Sequence, residues 1–460
     1  MILVVGAGPA GLMAAWRAAA AGHEVTVVER ADQVGGMAGS FEVAGQRVDF
    51  GSHRLHPSTS PYLLDALRGL LGDDLQTRPR HGRIRLERRW IGFPLKPADL
   101  LLRLPPRFAA RAALDAATAP LRRPKADTFA EVVRAGLGPA VAGSFYDPYI
   151  RKIWGVPPEE LSGELARRRV SASSPSDIVR RLARGRKRDG QGQVFLSPRR
   201  GFGQISEALA DAATAAGATI KLGTGVASAR FEDDGVRARL DDGTTVDADR
   251  LWSTAPLPAL APRLAPAPTP KVIEAAGRLN HRALVLVYLV LDRPRYTEFD
   301  AHYFPGLDVS TARLSEPKNY RASDDDPADR TVLCAEVPCS VGDETWAADA
   351  DDLGKQVAED LERQGLPPAR AVATEVRRLP RVYPVYRVGF EQDLAGLERW
   401  ASEQPRLLTF GRQGLFVPDN THHALAMGWA AADAVQADGR WDQAAWDRAR
   451  DSFRDFVVED

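Results

Sequence analysis

The chain has 460 residues, 44% of them hydrophobic and 27% charged, which is enough for about two or three structural units. Its 61 basic and 61 acidic side chains give a formal net charge of zero, and this balance argues against general nucleic-acid binding, which usually needs a basic face. The two cysteines, Cys334 and Cys339, are too few for a disulfide framework and lack the spacing of zinc ligands, so we expect a cytoplasmic protein without a bound metal.

The N-terminal stretch predicts a βαβ unit. Residues 2–5 form an apolar run that is typical of a buried parallel strand. A glycine turn follows, then an alanine-rich helix over Leu12–Ala21 that ends at Gly22, and then a second strand over Glu24–Glu29. This order of elements is typical of a Rossmann-like dinucleotide-binding unit.

The rest of the chain alternates between irregular, helical and mixed patterns. Residues 35–60 are loop-like and rich in glycine, residues 61–190 predict mostly helix with breaks at prolines, and residues 261–269 predict a linker. The other predicted elements are a helix after the glycine turn at Gly201, strands over Thr219–Thr224, Val226–Glu232, Val236–Leu240, Leu251–Thr254, 282–291, 331–337 and Leu407–Phe410, and helices near His423–Ala437 and Trp441–Val457.

These patterns predict an α/β protein whose cofactor domain is discontinuous. The assignment is a Rossmann-like cofactor domain over 1–60, 194–256 and 405–460, a mainly helical insertion over 61–190, and a substrate domain with a mixed sheet over 257–404. A ligand site is expected where these domains meet.

The longer apolar and basic segments bear on membrane contact and on substrate charge. The longest apolar run, Leu284–Leu291, is too short to span a bilayer, and the first strand directly precedes the glycine turn, so we expect neither a spanning helix nor a signal peptide. Leu100–Leu104 and Phe108–Ala113 predict helices packed on the core rather than peripheral membrane contact. The basic clusters Arg83–Arg89 and Arg180–Arg188 predict a solvated face, or alternatively an entry funnel for an anionic substrate.

The motif Gly6-x-Gly8-x-x-Gly11 predicts a site for the diphosphate of a dinucleotide. Gly6 allows the tight turn after the strand, Gly8 leaves room for the phosphates, and Gly11 lets the helix approach the sheet. Glu29 ends the second strand, where a carboxylate accepts hydrogen bonds from the adenosine ribose. The cofactor-binding residues predicted in this unit are Gly6, Gly8, Pro9, Ala10, Gly11 and Glu29.

A second glycine-rich stretch, Gly35-Gly36-Met37-Ala38-Gly39, follows Glu29-Arg30. It resembles the second glycine signature of the two-dinucleotide-binding flavoproteins, whose backbone passes beside the diphosphate and ribityl chain of FAD. Gly411-Arg412 resembles the second flavin contact of that family, and Val226 stands where the family's chain touches the adenine. The resemblance implies non-covalent FAD and adds the cofactor-binding residues Arg30, Gly36, Met37, Ala38, Val226, Gly411 and Arg412.

Four motifs resemble those of the UDP-galactopyranose mutases, within the broader clan of amine oxidases and protoporphyrinogen oxidases. They are Gly51-Ser-His53-Arg-Leu-His56, Phe93-Pro94-Leu95, Tyr149-x-x-Lys152-x-Trp154-Gly155 and Tyr383-Pro384-Val385. In the mutases the first lies beside the flavin, and the aromatic residues of the third line the nucleotide and sugar pocket. The resemblance therefore implies cofactor contacts from Gly51, Ser52, His53 and Arg54, although hydrogen bonding within the loop is an equal interpretation of the histidines.

The mutase resemblance also implies substrate-binding residues. The mutases hold the substrate diphosphate with arginines; Arg313 is the best positional match for one, and Arg167, Arg168 and Arg169 are candidates for the other. Tyr386-Arg387 replaces the Asn-Asp of the mutases. The predicted substrate-binding residues are Tyr149, Trp154, Arg168, Arg313, Tyr383 and Tyr386. The alternatives are core packing for the aromatic residues and, for Arg313, a surface charge pair in the neighbourhood of Glu316 and Lys318.

The segment Asp419–Ala424 precedes and opens a predicted helix. A helix N-terminus at this point would stabilise negative charge on the N1–C2=O edge of a reduced flavin. Helix capping by Asp419, Asn420 or Thr421 is the alternative, and both roles can hold together. Asp419, His423 and Ala424 complete the predicted cofactor contacts. Metal binding by His422 and His423 is not expected, because adjacent residues point apart.

The resemblance leaves two reactions open. One is a redox-neutral transformation of a nucleotide sugar, which uses the N5 atom of reduced flavin and needs an external reductant such as NAD(P)H. The other is a conventional FAD-dependent oxidation of the amine oxidase or protoporphyrinogen oxidase type, in which hydride passes to the flavin and then to oxygen or another acceptor. Both require a small-molecule substrate, with a nucleotide sugar as the first candidate, and a homo-oligomer is compatible with the sequence.

Overall fold

The computed structural model describes residues 1–93, 103–170 and 194–458. Pro94, Leu95, most of Leu100–Leu104 and the basic cluster Arg180–Arg188 lie outside these ranges. The strands of the described residues are β1 Ile2–Val5, β2 Val25–Val28, β3 Ser40–Val43, β4 Gln46–Asp49, β5 Leu75–Pro79, β6 Gly82–Leu86, β7 Arg89–Phe93, β8 Val194–Pro198, β9 Thr219–Lys221, β10 Val226–Phe231, β11 Val236–Leu240, β12 Thr245–Ala248, β13 Arg250–Ser253, β14 Leu264–Ala265, β15 His281–Leu291, β16 Ala301–Tyr303, β17 Arg313–Ser315, β18 Thr331–Cys339, β19 Ala371–Pro384 and β20 Leu407–Thr409. Their longer helices are α1 Pro9–Ala20, α2 Pro61–Leu71, α3 Pro106–Thr118, α4 Phe129–Leu137, α5 Asp147–Trp154, α6 Gly163–Val170, α7 Gln204–Ala215, α8 Pro270–Arg278, α9 Ala350–Arg363, α10 Phe390–Ser402, α11 Thr421–Asp433 and α12 Gln443–Ser452.

A five-stranded parallel sheet organises the N-terminal βαβ unit, in the order β20-β13-β1-β2-β9. Side chains alternate across β1: Ile2 and Val4 pack toward α1, whereas Leu3 and Val5 pack toward the opposite face. α11 crosses α1 so closely that a Cβ atom added at Gly428 would lie 2.2 Å from the carbonyl oxygen of Ala10. The sheet and its helices confirm the predicted α/β class and the Rossmann-like unit.

A four-stranded sheet covers the other face of the parallel sheet, in the order β12-β11-β10-β14. Residues of β10 and β11, among them Val226 and Val236, share one apolar cluster with Leu3 and Val5. β10 runs antiparallel to β11 and parallel to β14. The segment 261–269, predicted as a linker, therefore contains a short strand of this sheet.

A seven-stranded mixed sheet forms the other large unit, in the order β19-β15-β18-β17-β16-β6-β7. Its centre is the pair β15 and β18, whose apolar runs were predicted as strands of a second sheet. β19 pairs with the other side of β15 over most of its length. The helix α9 packs on this sheet through Leu353, Val357 and Leu361.

The prediction of a mainly helical segment over 61–190 is corrected at its start, because β5, β6 and β7 lie within it. In β6, arginines alternate with the buried Ile84 and Leu86, which is a strand pattern that high local charge obscures. β6 pairs with β16 of the seven-stranded sheet, and β5 pairs with β8. The division of the chain into domains otherwise stays a prediction.

The hairpin of β3 and β4 joins the two halves of the molecule, which are the unit of the parallel sheet and the unit of the seven-stranded sheet. The hydroxyl of Tyr288 donates to the carbonyl oxygen of Asp49 at 2.7 Å, and the backbone N–H of Val332 donates to Gln46 Oε1 at 3.0 Å. The loop after β4 therefore runs along the junction of the two halves. Over the described residues, the structure contains no helix with the length and apolar character needed to cross a membrane.

Candidate functional site

The turn after β1 combines close packing with an open space. A Cβ atom added at Gly6, whose φ is +104°, would lie 2.3 Å from Thr254 Oγ1, and one added at Gly11 would lie 2.0 Å from the carbonyl oxygen of Gly6. In contrast, a Cβ atom added at Gly8 would meet no protein atom within 4 Å. Gly6 and Gly11 are therefore required by the fold itself, whereas Gly8 leaves space that the protein does not fill.

The N-terminus of α1 faces this space without a side-chain cap. Gly8 is the N-cap residue, no side chain accepts a hydrogen bond from the first turn, and Pro9 occupies the first helical position. The backbone N–H groups of an uncapped helix start, together with the helix dipole, are suited to bind an anion. The geometry therefore fits a diphosphate at this position.

Two further segments surround the helix start. Gly36 lies close to Gly8, because a Cβ atom added at Gly36 would be 3.5 Å from Gly8 Cα. A Cβ atom added at Gly411 would be 3.0 Å from Ala10 Cβ. Met37 joins the two segments, since Gln413 Nε2 lies 3.5 Å from its Sδ atom, and Ala38 is buried beside it. The three glycine-rich segments predicted to hold FAD thus come together in space.

Glu29 lies at the edge of the same space. Its Oε2 atom accepts from the backbone N–H of Ala7 at 2.8 Å, and its Oε1 atom accepts from that of Ala31 at 2.9 Å. Arg30 is exposed and lies 3.4 Å from Asp241 Oδ2. The predicted adenine contact, Val226, is buried, and its carbonyl oxygen accepts from Arg263 Nη1 at 3.2 Å. The Val226 carbonyl oxygen therefore already has a partner within the protein.

The loop Gly51–Arg54 is fixed to the seven-stranded sheet by Ser52. Gly51 has a φ of +92°, and a Cβ atom added there would lie 3.3 Å from Glu336 Oε1. The backbone N–H of Ser52 donates to the same Oε1 atom at 2.8 Å, and the Ser52 hydroxyl is hydrogen-bonded to the hydroxyl of Tyr320. Glu336, on β18, therefore sets the position of this loop.

Arg54 makes a second connection between the loop and the sheet. Its Nη2 atom donates to Asp300 Oδ1 at 3.0 Å and to the Tyr320 hydroxyl at 3.1 Å, while Nη1 donates to the Tyr303 hydroxyl at 3.2 Å. The guanidinium carbon also lies 4.8 Å from the centre of the Tyr320 ring. Arg54 is thus held by the protein, and its side chain anchors the loop.

Arg313 forms a bidentate ion pair with Glu336. Its Nε and Nη2 atoms donate to Oε1 and Oε2 of Glu336, each at 2.8 Å. The two residues are direct cross-strand partners of β17 and β18. The alternative of a surface charge pair in the neighbourhood of Glu316 and Lys318 is wrong, because Arg313 pairs with Glu336. Glu316 is buried and accepts from the backbone N–H groups of Tyr296 and Thr297, and Lys318 donates to backbone carbonyl oxygens.

The two histidines of the loop make contacts within the protein. His53 Nε2 donates to the carbonyl oxygen of Phe50 at 3.0 Å, and its ring stacks on Phe202 at 5.2 Å. Burial lowers the pKa of His53, so its ring is neutral near pH 7. His56 Nδ1 accepts from the backbone N–H of Ser58 at 3.1 Å. Ser52 and Arg54, rather than the histidine rings, carry the contacts between the loop and the sheet.

The motif of Tyr149, Lys152 and Trp154 attaches α5 to the seven-stranded sheet. Lys152 is buried and its Nζ atom donates to the carbonyl oxygens of Phe304 at 2.6 Å and Thr311 at 3.0 Å. Trp154 Nε1 donates to the carbonyl oxygen of Pro384 at 3.0 Å. These bonds fix the Trp154 ring 5.7 Å from that of Tyr383.

Tyr149 and Tyr386 make aromatic contacts with other residues. The Tyr149 ring stacks on Phe145 at 5.6 Å. Tyr386 is only 2% exposed, its hydroxyl donates to the carbonyl oxygen of Phe416 at 2.7 Å, and its ring stacks on Phe390 at 3.9 Å. These contacts support the packing interpretation of Tyr386 and occupy the hydroxyl that was predicted to contact substrate.

The three consecutive arginines of α6 point to different partners. Arg167 forms a bidentate pair with Asp127 through atoms 2.7 and 3.1 Å apart. Arg168 donates to Glu164 Oε1 at 2.8 Å, and Arg169 lies with its guanidinium carbon 5.1 Å from the Trp154 ring. Arg169, rather than the predicted Arg168, is the arginine beside the aromatic pair. Arg168 instead lines a cavity of about 560 Å³ together with Tyr386 and Phe390.

Arg412 lies between the aromatic pair and α11. Its Nη1 and Nη2 atoms donate to the carbonyl oxygens of Asp419 at 2.9 Å and Val382 at 3.0 Å. Its guanidinium carbon is 5.8 Å from the Tyr383 ring. Burial lowers the pKa of Arg412 without removing its charge near neutral pH. The predicted flavin contact and a predicted substrate contact are therefore neighbours.

The N-terminus of α11 is capped by Asn420 and not by Asp419. The Asn420 side chain and the His423 ring form a reciprocal capping box, and the His423 ring stacks on Phe456 at 4.3 Å. Asp419 is 1% exposed, and neither carboxylate oxygen has a hydrogen-bond partner among the described residues. Burial raises the pKa of Asp419 to about 7, against the opposing effects of Arg168 and Arg412. Ala424 is buried in the first turn.

The described residues also include contacts that sequence motifs did not mark. Glu336, Asp300 and Tyr320 all belong to the junction, but none lies in a recognised motif. A signal existed for Glu336, since it is a charged residue within the otherwise apolar strand β18. Both cysteines are buried and free.

Comparison with known proteins agrees with this geometry. The model of the family of flavin containing amine oxidoreductases matches residues 9–436. The chain belongs to this family. The family implies FAD, and the open space at Gly8 and the uncapped start of α1 fit its diphosphate.

Two solved structures show the same fold over nearly the whole chain. A reduced UDP-galactopyranose mutase is similar with a TM-score of 0.81 and 22% identity, covering 98% of each chain. A putative protoporphyrinogen oxidase from Exiguobacterium sp. 255-15 has a TM-score of 0.73 and 21% identity, covering 94% of this chain and 98% of the other. Both matches extend the likeness to the seven-stranded sheet.

A closer sequence match is local. The putrescine oxidase of Kocuria rosea is 43% identical over 81 residues, which are 18% of this chain and 16% of that protein. The chain therefore matches less than a fifth of the length of this curated relative. Such a short segment is informative about a shared unit and carries no information about the substrate.

Proposed function

We propose that this chain is an FAD-dependent enzyme that acts on an anionic, oxygen-rich small molecule, with a nucleotide sugar as the first candidate. The observation that carries the proposal is the group of three arginines near Tyr383, namely Arg169, Arg313 and Arg412. Their positions next to the predicted flavin contacts support a substrate site at the junction of the two halves.

The electrostatics of Tyr383 support the proximity of all three arginines. Burial is the main cause that raises the pKa of Tyr383 and Glu336 adds to it, whereas Arg313, Arg412 and Arg169 act in the opposite direction. The hydroxyl therefore stays protonated near pH 7 and remains a hydrogen-bond donor. A neutral donor surrounded by guanidinium groups is suited to phosphate or carboxylate oxygens.

The same arginines disfavour a protonated amine as substrate. Like charges brought together in a buried site cost several kcal/mol, and guanidinium groups do not lose their charge near neutral pH. Amine oxidation, suggested by the family's name, would require a site whose polar groups accept hydrogen bonds from a cation. The arginine group offers donors instead. An anionic substrate is therefore favoured within an amine oxidoreductase family.

The remaining residues have positioning roles in this proposal. The Trp154 ring, fixed through Pro384, offers a stacking face for a base or a sugar, and Lys152 holds α5 in place. The start of α1, with Gly6, Gly8, Pro9, Ala10 and Gly11, binds the cofactor diphosphate, and Glu29 binds its ribose. When bound, FAD supplies redox or nucleophilic chemistry at its isoalloxazine ring. Gly51–Arg54, Met37, Arg412 and the start of α11 define the space for that ring.

The proposal is tested by the visible spectrum of the purified protein and by ligand titration. UDP-sugars and GDP-sugars are added to oxidised and to dithionite-reduced samples while the flavin bands are recorded. We expect the nucleotide sugars to perturb the bands, and putrescine to leave them unchanged. Absence of flavin absorbance after addition of FAD contradicts the proposal at its first step, and perturbation by putrescine alone contradicts the anionic substrate.

A conventional oxidoreductase is the second candidate, favoured by the family match over residues 9–436. It requires no external reductant, whereas the redox-neutral reaction starts only after reduction by NAD(P)H or an equivalent. A substrate that bleaches the oxidised flavin under anaerobic conditions supports oxidation. Reaction with the reduced sample alone supports the redox-neutral reaction.

A further inference from the structure

Glu336 is a buried carboxylate at the junction, and it contacts both the loop Gly51–Arg54 and Arg313. We propose that Glu336 is a positioning residue that holds this loop in place and limits the positive charge that Arg313 presents to substrate. The proposal rests on the anionic substrate site around Tyr383 described above. It adds a specificity-determining residue that belongs to no recognised motif.

The contacts of Glu336 come from two separate parts of the chain. Oε1 accepts from the backbone N–H of Ser52 and from Arg313 Nε, and Oε2 accepts from Arg313 Nη2, all at 2.8 Å. Glu336 is 2% exposed and Arg313 lies directly across the strand pair. Because the sheet fixes both Cα positions, neither side chain moves far without breaking this arrangement.

The carboxylate belongs to a closed ring of polar contacts. From Ser52 the ring continues through the Tyr320 hydroxyl to Arg54 Nη2, and from Arg54 Nη1 to the Tyr303 hydroxyl. The guanidinium carbon of Arg313 lies 5.9 Å from the centre of the Tyr303 ring, and this contact completes the ring of contacts. Such a ring holds the loop Gly51–Arg54 and the Arg313 side chain in one geometry, so a substitution of Glu336 should alter the position of both.

The charge of Glu336 sets the strength of Arg313 as an anion site. A bidentate carboxylate neutralises a guanidinium group at short range and occupies two of its donors. Replacing the carboxylate by an amide removes the negative charge, keeps the side-chain size and leaves one acceptor for Ser52. Arg313 then acts on nearby groups with its full charge, which favours bound anions and the reduced, more negative state of the flavin.

The test compares Glu336→Gln with wild type in the FAD-loaded protein. Inorganic pyrophosphate is the probe for the anion site, and its Kd is measured from perturbation of the flavin bands. The midpoint potential of the bound flavin is measured by reductive titration. We expect E336Q to bind pyrophosphate about tenfold more tightly, and its flavin to be reduced at a more positive potential.

Arg313→Met supplies the opposite charge change. It leaves Glu336 without its partner, so pyrophosphate binding should weaken about tenfold and the potential should become more negative. The double variant E336Q/R313M removes both charges, and its potential should return close to that of wild type. Opposite signs in the single variants are not expected from a general loss of structure.

Glu316→Gln is the matched control, since Glu316 is an equally buried glutamate of the same unit that accepts from backbone N–H groups. The proposal is overturned if E336Q and E316Q give the same Kd and potential, or if E336Q and R313M shift the potential in the same direction. If pyrophosphate perturbs no variant but the potentials shift as expected, the anion site fails and the positioning role stands. If E336Q cannot hold FAD, recovery of binding in the double variant supports the charge pairing, and continued loss overturns it.

Discussion

Gly6, Gly8 and Gly11 lie in one turn of the chain, whereas the polar ring around Glu336 joins residues from the loop after β4 to those of β16, β17 and β18. In the first region the chemistry is a backbone property, and the spacing of three glycines specifies it. In the second it depends on side chains that become neighbours only when two sheets pack together. A site formed by residues close together in the sequence can therefore be recognised as a motif. A site formed by residues far apart in the sequence cannot.

The largest expected effect is at the glycine turn, where a substitution at Gly8 should change FAD affinity without changing stability. A Cβ atom added at Gly8 meets no protein atom, so Gly8→Ala should fold normally while its methyl group occupies space meant for the diphosphate. We expect FAD affinity to fall about 100-fold, with a change in melting temperature of less than about 2 °C. Titration of the apoprotein with FAD measures the first value, and circular dichroism the second.

Gly69→Ala is the control for this variant, because a Cβ atom added at Gly69 in α2 also meets no protein atom. It should leave FAD affinity unchanged. An unaltered affinity in G8A as well would place the diphosphate away from the start of α1.

The neighbouring glycine should behave in the opposite way. A Cβ atom at Gly11 would lie 2.0 Å from the carbonyl oxygen of Gly6, so Gly11→Ala should push α1 away from the turn. We expect the free energy of unfolding of the apoprotein to fall by about 1–3 kcal/mol, as measured by urea denaturation. A G11A variant as stable as G8A would remove the distinction between the two glycines.

At the proposed substrate site, the adjacent residues Arg168 and Arg169 should differ in their effect on pyrophosphate binding. Arg169→Met should weaken pyrophosphate binding about tenfold, because Arg169 lies beside Trp154 and near Tyr383. Arg168→Met should weaken it less, since Arg168 pairs with Glu164 and lines a cavity together with Tyr386 and Phe390. The Kd of pyrophosphate is measured for both variants from perturbation of the flavin bands. A larger effect of R168M would support the sequence-based prediction that Arg168 binds substrate.

The last effect concerns the buried carboxylate of Asp419 rather than ligand binding. Its pKa is raised to about 7 in the folded state, so the folded protein binds this proton more tightly than the unfolded chain does. Stability should therefore fall as the pH rises from about 4 to about 7 and then level off. Asp419→Asn should remove this contribution and be more stable than wild type at pH 8, by up to about 4 kcal/mol for a pKa raised from 3.8 to about 7.

Melting temperatures of the apoprotein between pH 5 and pH 8 test this effect (about one point per half unit). Arg168, Arg412 and His423 face the carboxylate and stay unchanged in the variant. Equal pH dependence in D419N and wild type would show that Asp419 does not titrate in this range.

Most of the local architecture was predictable because it rests on local physics. The apolar run of β1, the glycine turn and the alanine-rich helix each follow from residues within about 30 positions. Trp154 and Tyr383 were both predicted to bind substrate, and their rings are neighbours in the structure. The place of β6 in the seven-stranded sheet was missed because its arginines suggested a solvated surface, whereas Arg83 lies 4.3 Å from the ring of Trp90.

Choices among equivalent residues could not be made in advance. Arg167, Arg168 and Arg169 share one sequence context, but successive helical positions point about 100° apart, so only their packing separates them. Tyr383 and Tyr386 differ for the same reason: one faces the arginines, and the other donates its hydroxyl to the carbonyl oxygen of Phe416.

By itself, the sequence determined the α/β class and the glycine turn after β1, because glycine spacing acts through the backbone over short distances, and its resemblance to the flavoproteins indicated FAD. Only the tertiary structure decided which charges meet. It paired Arg313 with Glu336, connected Arg54 to Asp300 and left the carboxylate of Asp419 buried without a hydrogen-bond partner among the described residues. These contacts join positions up to 284 residues apart, as between Ser52 and Glu336, and the sheets that bring them together are set by packing across the whole chain.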